Sequence, residues 1–365
     1  MQNNIIFVGN KFNYNQSLRS YVVRKVEQKI GTIDSVSYFG ESDNRLFLHL
    51  EKALQNENNL LIFTTKNSFT TIGKLLSTVT SDNQVLQGDM LIPSQSVIYE
   101  KNSYLLQFGG SNINVISANE EETLAPILIQ NENRSAQIQL FDETLENSTV
   151  LLEPLAQTFD VVLNFSPLVK GWITLTVLSR KYGNISKFID AAKKLLNNNI
   201  ITASNMSAYI INTLNSHKKK LTFAESCSGG QLAAFLTYEH GASTVFDGSL
   251  VTYSNALKSN WLAVDDTILQ KYGAVSAEVV SEMSEGALNV SYADFSIAIS
   301  GIAGPEGGSD EKPVGTVFIA VRSENASKVE ELHLNGDRNY VQEQSVLHAI
   351  KMLVLLDREL FFKKS

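Results

Sequence analysis

Three stretches in the second half of the chain place nucleophilic or basic side chains at turns, two of them glycine-rich, as acyl-transfer chemistry needs. The first is Leu221-Thr222-Phe223-Ala224-Glu225-Ser226-Cys227-Ser228-Gly229-Gly230, followed by a helical run from Gln231 to Tyr238. Its order is strand, tight turn, helix. The turn therefore sits at a helix N-terminus, where unpaired N–H groups and the positive end of the helix dipole favour an anion. A serine held there suits attack on a carbonyl, because donors for the resulting oxyanion are already fixed. Ser226 is the candidate nucleophile, with Ser228, Gly229 and Gly230 around it. The plainer alternative makes Ser226 a helix cap and the glycine pair a packing point.

A serine needs a base, and no histidine accompanies this motif. The second stretch, Leu250-Val251-Thr252-Tyr253-Ser254-Asn255-Ala256-Leu257-Lys258, again reads strand, turn, helix start. In a parallel α/β sheet adjacent strand ends share one crevice, so Tyr253, Asn255 and Lys258 can face Ser226. A lysine desolvated among apolar groups loses basicity towards neutrality and can serve as a base, whereas an exposed helix lysine cannot. Cys227 is the rival nucleophile. It lies one residue further into the turn, so its side chain is expected to point elsewhere, as a buried and inert thiol.

The third stretch, Ile297-Ala298-Ile299-Ser300-Gly301-Ile302-Ala303-Gly304-Pro305-Glu306-Gly307-Gly308-Ser309, runs from a strand into a loop suited to cradling a phosphate or carboxylate with backbone N–H groups. It carries neither the Gly-Lys-Ser/Thr ending of a Walker loop nor a Gly-x-Gly-x-x-Gly fingerprint. Asp310 and Glu311 read as a solvated loop tip, since no second cluster of hard oxygen ligands accompanies them. Gly336-Asp337-Arg338 precedes the last helix, where the arginine can clamp a phosphate or pair with a carboxylate.

The elements that carry these motifs alternate. The chain opens with an apolar strand, Ile5 to Val8, then a helical pattern through Tyr21, Val22, Val26 and Ile30, then a strand from Leu60 to Phe63. That alternation predicts a mostly parallel sheet covered on both faces. The spacing predicts three regions: 1–137, an α/β domain; 138–205, a small α+β insert with strands Val161–Phe165 and Trp172–Leu178, a helix from Ile185 to Leu196 and an exit at Asn197-Asn198-Asn199; and 206–365. Eleven of the 21 glycines fall between Gly229 and Gly315, under a quarter of the chain, which places the chemistry in the third region.

Composition narrows the function classes. With 43% hydrophobic and 19% charged residues the chain reads as an ordinary globular protein. A net charge of -8 argues against nucleic-acid binding, and the densest basic run, Lys218-Lys219-Lys220, reads as a solvated linker. One cysteine excludes an intramolecular disulfide and a Cys-rich zinc site. No signal-peptide pattern and no apolar stretch of about 18 residues is present, so a cytoplasmic protein without a membrane partner is expected.

Glu225-Ser226-Cys227-Ser228-Gly229-Gly230, Val251-Thr252-Tyr253-Ser254-Asn255 with Lys258, Ser300-Gly301-Ile302-Ala303-Gly304-Pro305 with Gly307-Gly308, Lys312-Pro313-Val314-Gly315-Thr316-Val317 and Gly336-Asp337-Arg338 together resemble the CinA C-terminal family. That is the family of bacterial nicotinamide mononucleotide (NMN) deamidases. The resemblance implies an α/β amidohydrolase domain that hydrolyses the NMN carboxamide to nicotinate mononucleotide and ammonia. It also implies a serine–lysine mechanism without metal or cofactor. By position, Ser226 is then the nucleophile, Lys258 the base, and Tyr253 a group that assists proton transfer or orients the lysine. Ser228, Gly229, Gly230, Asn255, Ser300, Gly301, Gly304, Gly307 and Gly308 would line the nucleotide site, and Arg338 would hold the phosphate. Ser300 stands where the family usually has threonine. Backbone N–H groups near Gly229-Gly230 would stabilise the oxyanion.

The first 137 residues are similar to the family's doubly wound, molybdopterin-binding-like N-terminal domain, with Ile6-Phe7-Val8-Gly9 in the opening strand. Where that domain carries a Gly-Gly-x-Gly-Pro-Thr loop, this chain reads Thr64-Thr65-Lys66-Asn67-Ser68-Phe69-Thr70-Thr71. Without the glycines the backbone cannot approach a pyrophosphate in the same way. The expectation is that ADP-ribose pyrophosphatase activity is lost and that this domain serves packing or homodimerisation. Residues 138–205 resemble a KH-type linker domain, with too little positive charge to bind RNA. Two further functions compete with the deamidase: a non-catalytic nucleotide sensor or interaction module related to competence, and an amidohydrolase of another pyridine nucleotide.

Overall fold

A computed structural model of the protein describes residues 1–130, 135–196 and 199–362. The chain is mixed α/β and divides into two compact units, Met1–Arg134 and Ser135–Ser365. No helix among the described residues is long and apolar enough to cross a membrane.

The first unit holds β1 (Gln2–Val8), α1 (Lys11–Tyr14), α2 (Gln16–Ile30), β2 (Ser35–Phe39), α3 (Arg45–Ala53), β3 (Asn58–Thr64), α4 (Lys66–Val79), β4 (Gln84–Gln87), β5 (Met90–Pro93), β6 (Ser96–Glu100), β7 (Ser103–Phe108) and β8 (Ser111–Ser117). Six strands form one sheet in the order β2-β1-β3-β8-β7-β6. The pairings among β2, β1, β3 and β8 are parallel, and β7 and β6 extend the sheet antiparallel. Side chains alternate across a strand, so Ile6, Val8, Leu60 and Ile62 pack on one face while Ile5, Phe7, Leu61 and Phe63 pack on the other with α2. Both faces are covered, which is why these strands read as unbroken apolar runs. The antiparallel end and the separate β4–β5 hairpin are features the strand–helix alternation did not predict.

The second unit begins with β9 (Ser135–Phe141), α5 (Leu145–Thr158), β10 (Val161–Val169), β11 (Trp172–Ser179), α6 (Ile185–Leu196) and β12 (Ile200–Ile201). Its first sheet runs β10-β11-β9-β12. Because β9 pairs along its length with β11, a boundary at 137 falls inside a strand, and the first unit ends earlier, at Arg134. The helix exit expected at Asn197-Asn198 lies outside the described residues.

The remainder comprises α7 (Met206–Ser216), β13 (Leu221–Glu225), α8 (Gln231–Thr237), β14 (Phe246–Val251), α9 (Asn255–Leu262), α10 (Asp266–Tyr272), α11 (Ala277–Ser291), β15 (Phe295–Gly301), β16 (Thr316–Ser323), β17 (Ser327–His333), α12 (Arg338–Leu356) and α13 (Arg358–Phe362). The sheet order is β14-β13-β15-β16-β17. The two pairings of β13 are parallel and those of β16 antiparallel. Phe223, Ile297, Ile299 and Ile319 face the core built with α12, whereas Ala224, Ala298 and Ala320 face α11. The three alanines let α11 approach the sheet closely, with Phe318 the large side chain of β16 on that face. The run Lys218-Lys219-Lys220 precedes β13, where Lys219 pairs with Asp294 and Lys220 with Asp247 at the surface.

Candidate active site

The chain leaves β13 toward β14 on one side and reaches β15 on the other, so the carboxyl end of β13 is a topological switch point, the place where open α/β sheets form a crevice. Ser226 is the first residue beyond that strand end. Its N–H donates to the Ile299 carbonyl, and the Thr252 N–H donates to the Glu225 carbonyl, so both neighbouring strands hold the turn. Gly229 and Gly230, at φ +62° and +100°, occupy left-handed backbone that a β-carbon would strain, and this tightens the turn into α8.

Ser254 caps α9 by accepting from the Leu257 N–H, which places Lys258 in the first turn of that helix. The Lys258 side chain is fully enclosed at 1% exposure. Its Nζ lies 3.0 Å from Ser226 Oγ and 2.8 Å from the Thr252 carbonyl oxygen. Burial lowers the Lys258 pKa from its ordinary value of 10.5. A neutral amine in this position can donate to Thr252 and accept the serine proton. Burial pushes the Cys227 thiol up to about 12, so it stays protonated beside the serine.

The other expected site residues fall into two groups. Arg338, at the start of α12, donates to the Gly304 carbonyl at 2.9 Å and to the Tyr253 hydroxyl at 2.8 Å. It thereby ties the glycine loop to the β14–α9 turn, and Tyr253 remains 59% exposed. The Tyr253 hydroxyl, expected to assist proton transfer or orient the lysine, accepts from Arg338, while the carbonyl of Thr252 accepts from the lysine amine. Gly304 and Gly307 adopt φ +87° and +93°. A β-carbon on Gly301 would meet the Thr316 carbonyl oxygen at 2.9 Å and one on Gly308 the Val314 nitrogen at 2.7 Å, so these two serve close packing of the loop. Asn255 is exposed on the first turn of α9.

Ser228 and Ser300 have structural partners instead. Ser300 Oγ donates to the Ala274 carbonyl at 2.7 Å, and Ser228 Oγ donates to Glu225 Oε2 at 2.9 Å. The oxyanion donors expected near Gly229-Gly230 are also committed: the Gly230 N–H goes to Glu225 Oε2 and the Gly229 N–H to the Ser226 carbonyl. Among the described residues, the N–H groups of Cys227 and Ser228 make no hydrogen bond to an acceptor in another residue. They directly follow the nucleophile, and they are the backbone donors of this turn still free for a ligand oxygen.

Sequence reasoning gave no role to Glu225, Thr252 or Gln342. Gln342 Nε2 on α12 donates to the Cys227 carbonyl at 2.6 Å and so braces the turn from outside. An acidic residue closing the apolar run Leu221–Ala224 was the only local sign of Glu225's involvement. Nothing local marks the other two.

Residues 203–356 match the family model described as the CinA C-terminal domain, and that span contains every residue of the site. A competence/damage inducible protein from Agrobacterium tumefaciens is 38% identical, with 42% of this chain covering 93% of that one at a TM-score of 0.41. A CinA superfamily protein from Klebsiella pneumoniae is 37% identical, with 42% of this chain covering 96% of that one, also at a TM-score of 0.41. Residues 203–356 belong to the CinA C-terminal domain family. Among curated CinA relatives, a CinA-like protein of Thermotoga neapolitana is 46% identical over 148 residues, 40% of this chain and 36% of the relative. A competence-damage inducible protein of Clostridium novyi is 33% identical over 264 residues, 71% of this chain and 56% of the relative. The chain therefore spans about half or less of the length of the curated CinA proteins it matches.

Proposed function

We propose that the second unit hydrolyses the carboxamide of nicotinamide mononucleotide, releasing ammonia and nicotinate mononucleotide. The observation that carries this is the enclosed Lys258 amine 3.0 Å from Ser226 Oγ. Neutral Lys258 takes the Ser226 proton as Oγ attacks the carboxamide carbon, and the N–H groups of Cys227 and Ser228 receive the oxyanion. The Lys258 ammonium then protonates the departing nitrogen, ammonia leaves, and the acyl-enzyme remains on Ser226. A water gives its proton to Lys258 while attacking the same carbon, and the carboxylate departs as Ser226 regains a proton. Arg338 keeps N–H donors free beyond Gly304 and Tyr253, and these hold the nucleotide phosphate. Ammonia release from nicotinamide mononucleotide by the purified protein tests this reading. Binding without turnover would favour a nucleotide sensor.

The pH dependence follows from the lysine. Only its neutral form is a base, and burial moves its deprotonation below 10.5, so kcat rises with pH through that lowered value and then levels off. Between the lowered value and 10.5 the unfolded chain binds more protons than the native one, so stability also rises with pH across the same window. A kcat profile that falls over the neutral-to-alkaline range would count against Lys258 as the base.

The first unit has no ADP-ribose pyrophosphatase activity in this proposal and serves packing or dimerisation. Thr65 caps α4 through its own hydroxyl, which accepts from the Ser68 N–H and donates to Glu41 Oε1 at 3.1 Å. The Thr65 methyl lies 2.4 Å from where a β-carbon on Gly9 would stand, so the ends of β1 and β3 are packed against each other. ADP-ribose turnover by the purified protein, abolished by substitutions in this unit, would overturn this part.

A further inference from the structure

We infer that Glu225 is a positioning residue, whose buried carboxylate sets the nucleophile turn so that Ser226 faces Lys258. The inference rests on the serine–lysine reading above and adds a residue to it. Glu225 has no exposed surface. Its Oε2 accepts from Ser228 Oγ at 2.9 Å, the Gly230 N–H at 2.9 Å and the Leu232 N–H at 3.0 Å. Its Oε1 accepts from the Ala233 N–H at 3.0 Å and Ser249 Oγ at 2.9 Å. A carboxylate taken out of water is costly unless its lone pairs are met, and here they are met from three directions.

Those donors show what the charge does. Gly230 caps α8 without a side chain, so the cap, second and third residues of that helix would have unpaired N–H groups. Glu225 supplies the missing acceptor from the preceding strand and neutralises the helix end. It thereby takes the helix N–H groups away from any substrate and leaves those of Cys227 and Ser228. The backbone closes a ring around the dyad: the Glu225 carbonyl accepts from the Thr252 N–H, the Thr252 carbonyl holds Lys258 Nζ, and Lys258 reaches Ser226, the residue after Glu225. Neither oxygen of Glu225 can become an amide N–H₂ without turning its hydrogens towards existing donors, so Glu225→Gln must shift the turn. Glu225→Asp keeps the acceptor but falls one methylene short.

A fluorophosphonate probe on the full chain reads this without any nucleotide. Ser226 Oγ bonds to phosphorus, fluoride leaves, and Lys258 takes the proton, so the labelling rate reports how the dyad is set. Labelling of Glu225→Gln is expected to fall about 100-fold, the usual result of moving reacting groups by an ångström. Glu225→Asp should recover part of the loss, and Ser249→Ala, which removes one donor to Oε1, should fall several-fold. The midpoint of the pH profile should stay at its wild-type position because Lys258 is intact, and with nicotinamide mononucleotide the loss should appear in kcat with KM nearly unchanged. A folded Glu225→Gln protein labelled within about threefold of wild type overturns the inference. If that variant does not fold, Ser249→Ala decides, and wild-type labelling of it overturns the inference equally. Wild-type protein that the probe labels but that releases no ammonia refutes the substrate assignment alone, whereas wild-type protein that the probe does not label refutes both.

Discussion

Ser226→Ala and Lys258→Ala are each expected to lower ammonia release from nicotinamide mononucleotide by about 10⁴-fold or more, measured in single turnover against wild type. Without Ser226 there is no acyl-enzyme. Without Lys258 the serine hydroxyl loses the amine bonded to it at 3.0 Å. The two act as one unit, so the double variant should be no slower than the worse single one. Lys258→Arg should be as inactive as Lys258→Ala, because a guanidinium stays charged and cannot take the proton. Lys258→Met keeps the volume of the enclosed chain and is expected to fold, which separates loss of chemistry from loss of structure. Substantial turnover by the Ser226→Ala protein would direct attention to another nucleophile, and the protonated Cys227 thiol makes that outcome the unexpected one.

The second large effect is expected from a residue that touches neither member of the dyad. Gly286 lies in α11 where it crosses the end of α9, and a β-carbon there would stand 1.9 Å from the Leu262 carbonyl oxygen and 2.7 Å from its carbon. On helix propensity alone, Gly286→Ala would stabilise α11 by about 1 kcal/mol. The obstacle is backbone, which no rotamer change can move aside, so a net loss of about 2 kcal/mol is expected in urea denaturation. Leu262 is the last residue of α9 and Lys258 sits one turn before it, so displacing the helix end carries the lysine with it. A shift near 1 Å costs about 100-fold in rate. Unchanged kcat alongside reduced stability would mean that the first turn of α9 is anchored independently, through the Ser254 cap and the Thr252 carbonyl.

The candidate pair was legible because each member sits in a strand–turn–helix segment whose order and turn residues can be read locally. The cap of α9 spans three residues, and the turn after β13 is closed by its own glycines. The apolar runs of β1 and β3 likewise announced a sheet buried on both faces. Strand β9 was less visible: Ser135–Phe141 mixes polar and apolar residues, and its pairings with β11 and β12 assign it to the second unit.

The roles of single polar groups were another matter. Tyr253 is bonded to a residue 85 positions away, Ser300 to one 26 away, and Glu225 to Ser249 at a separation of 24. A hydroxyl or carboxylate carries no mark of which distant donor or acceptor it will meet, so residue type and spacing could propose Ser228 and Tyr253 for the chemistry but not detect their prior commitments. By itself the sequence pointed to the candidate pair, to a sheet whose strand ends share one crevice, and to the family of residues 203–356. Tertiary structure decided which N–H groups stay free, what orients the lysine and how deeply it is enclosed, because each of these depends on which segments pack around one strand end.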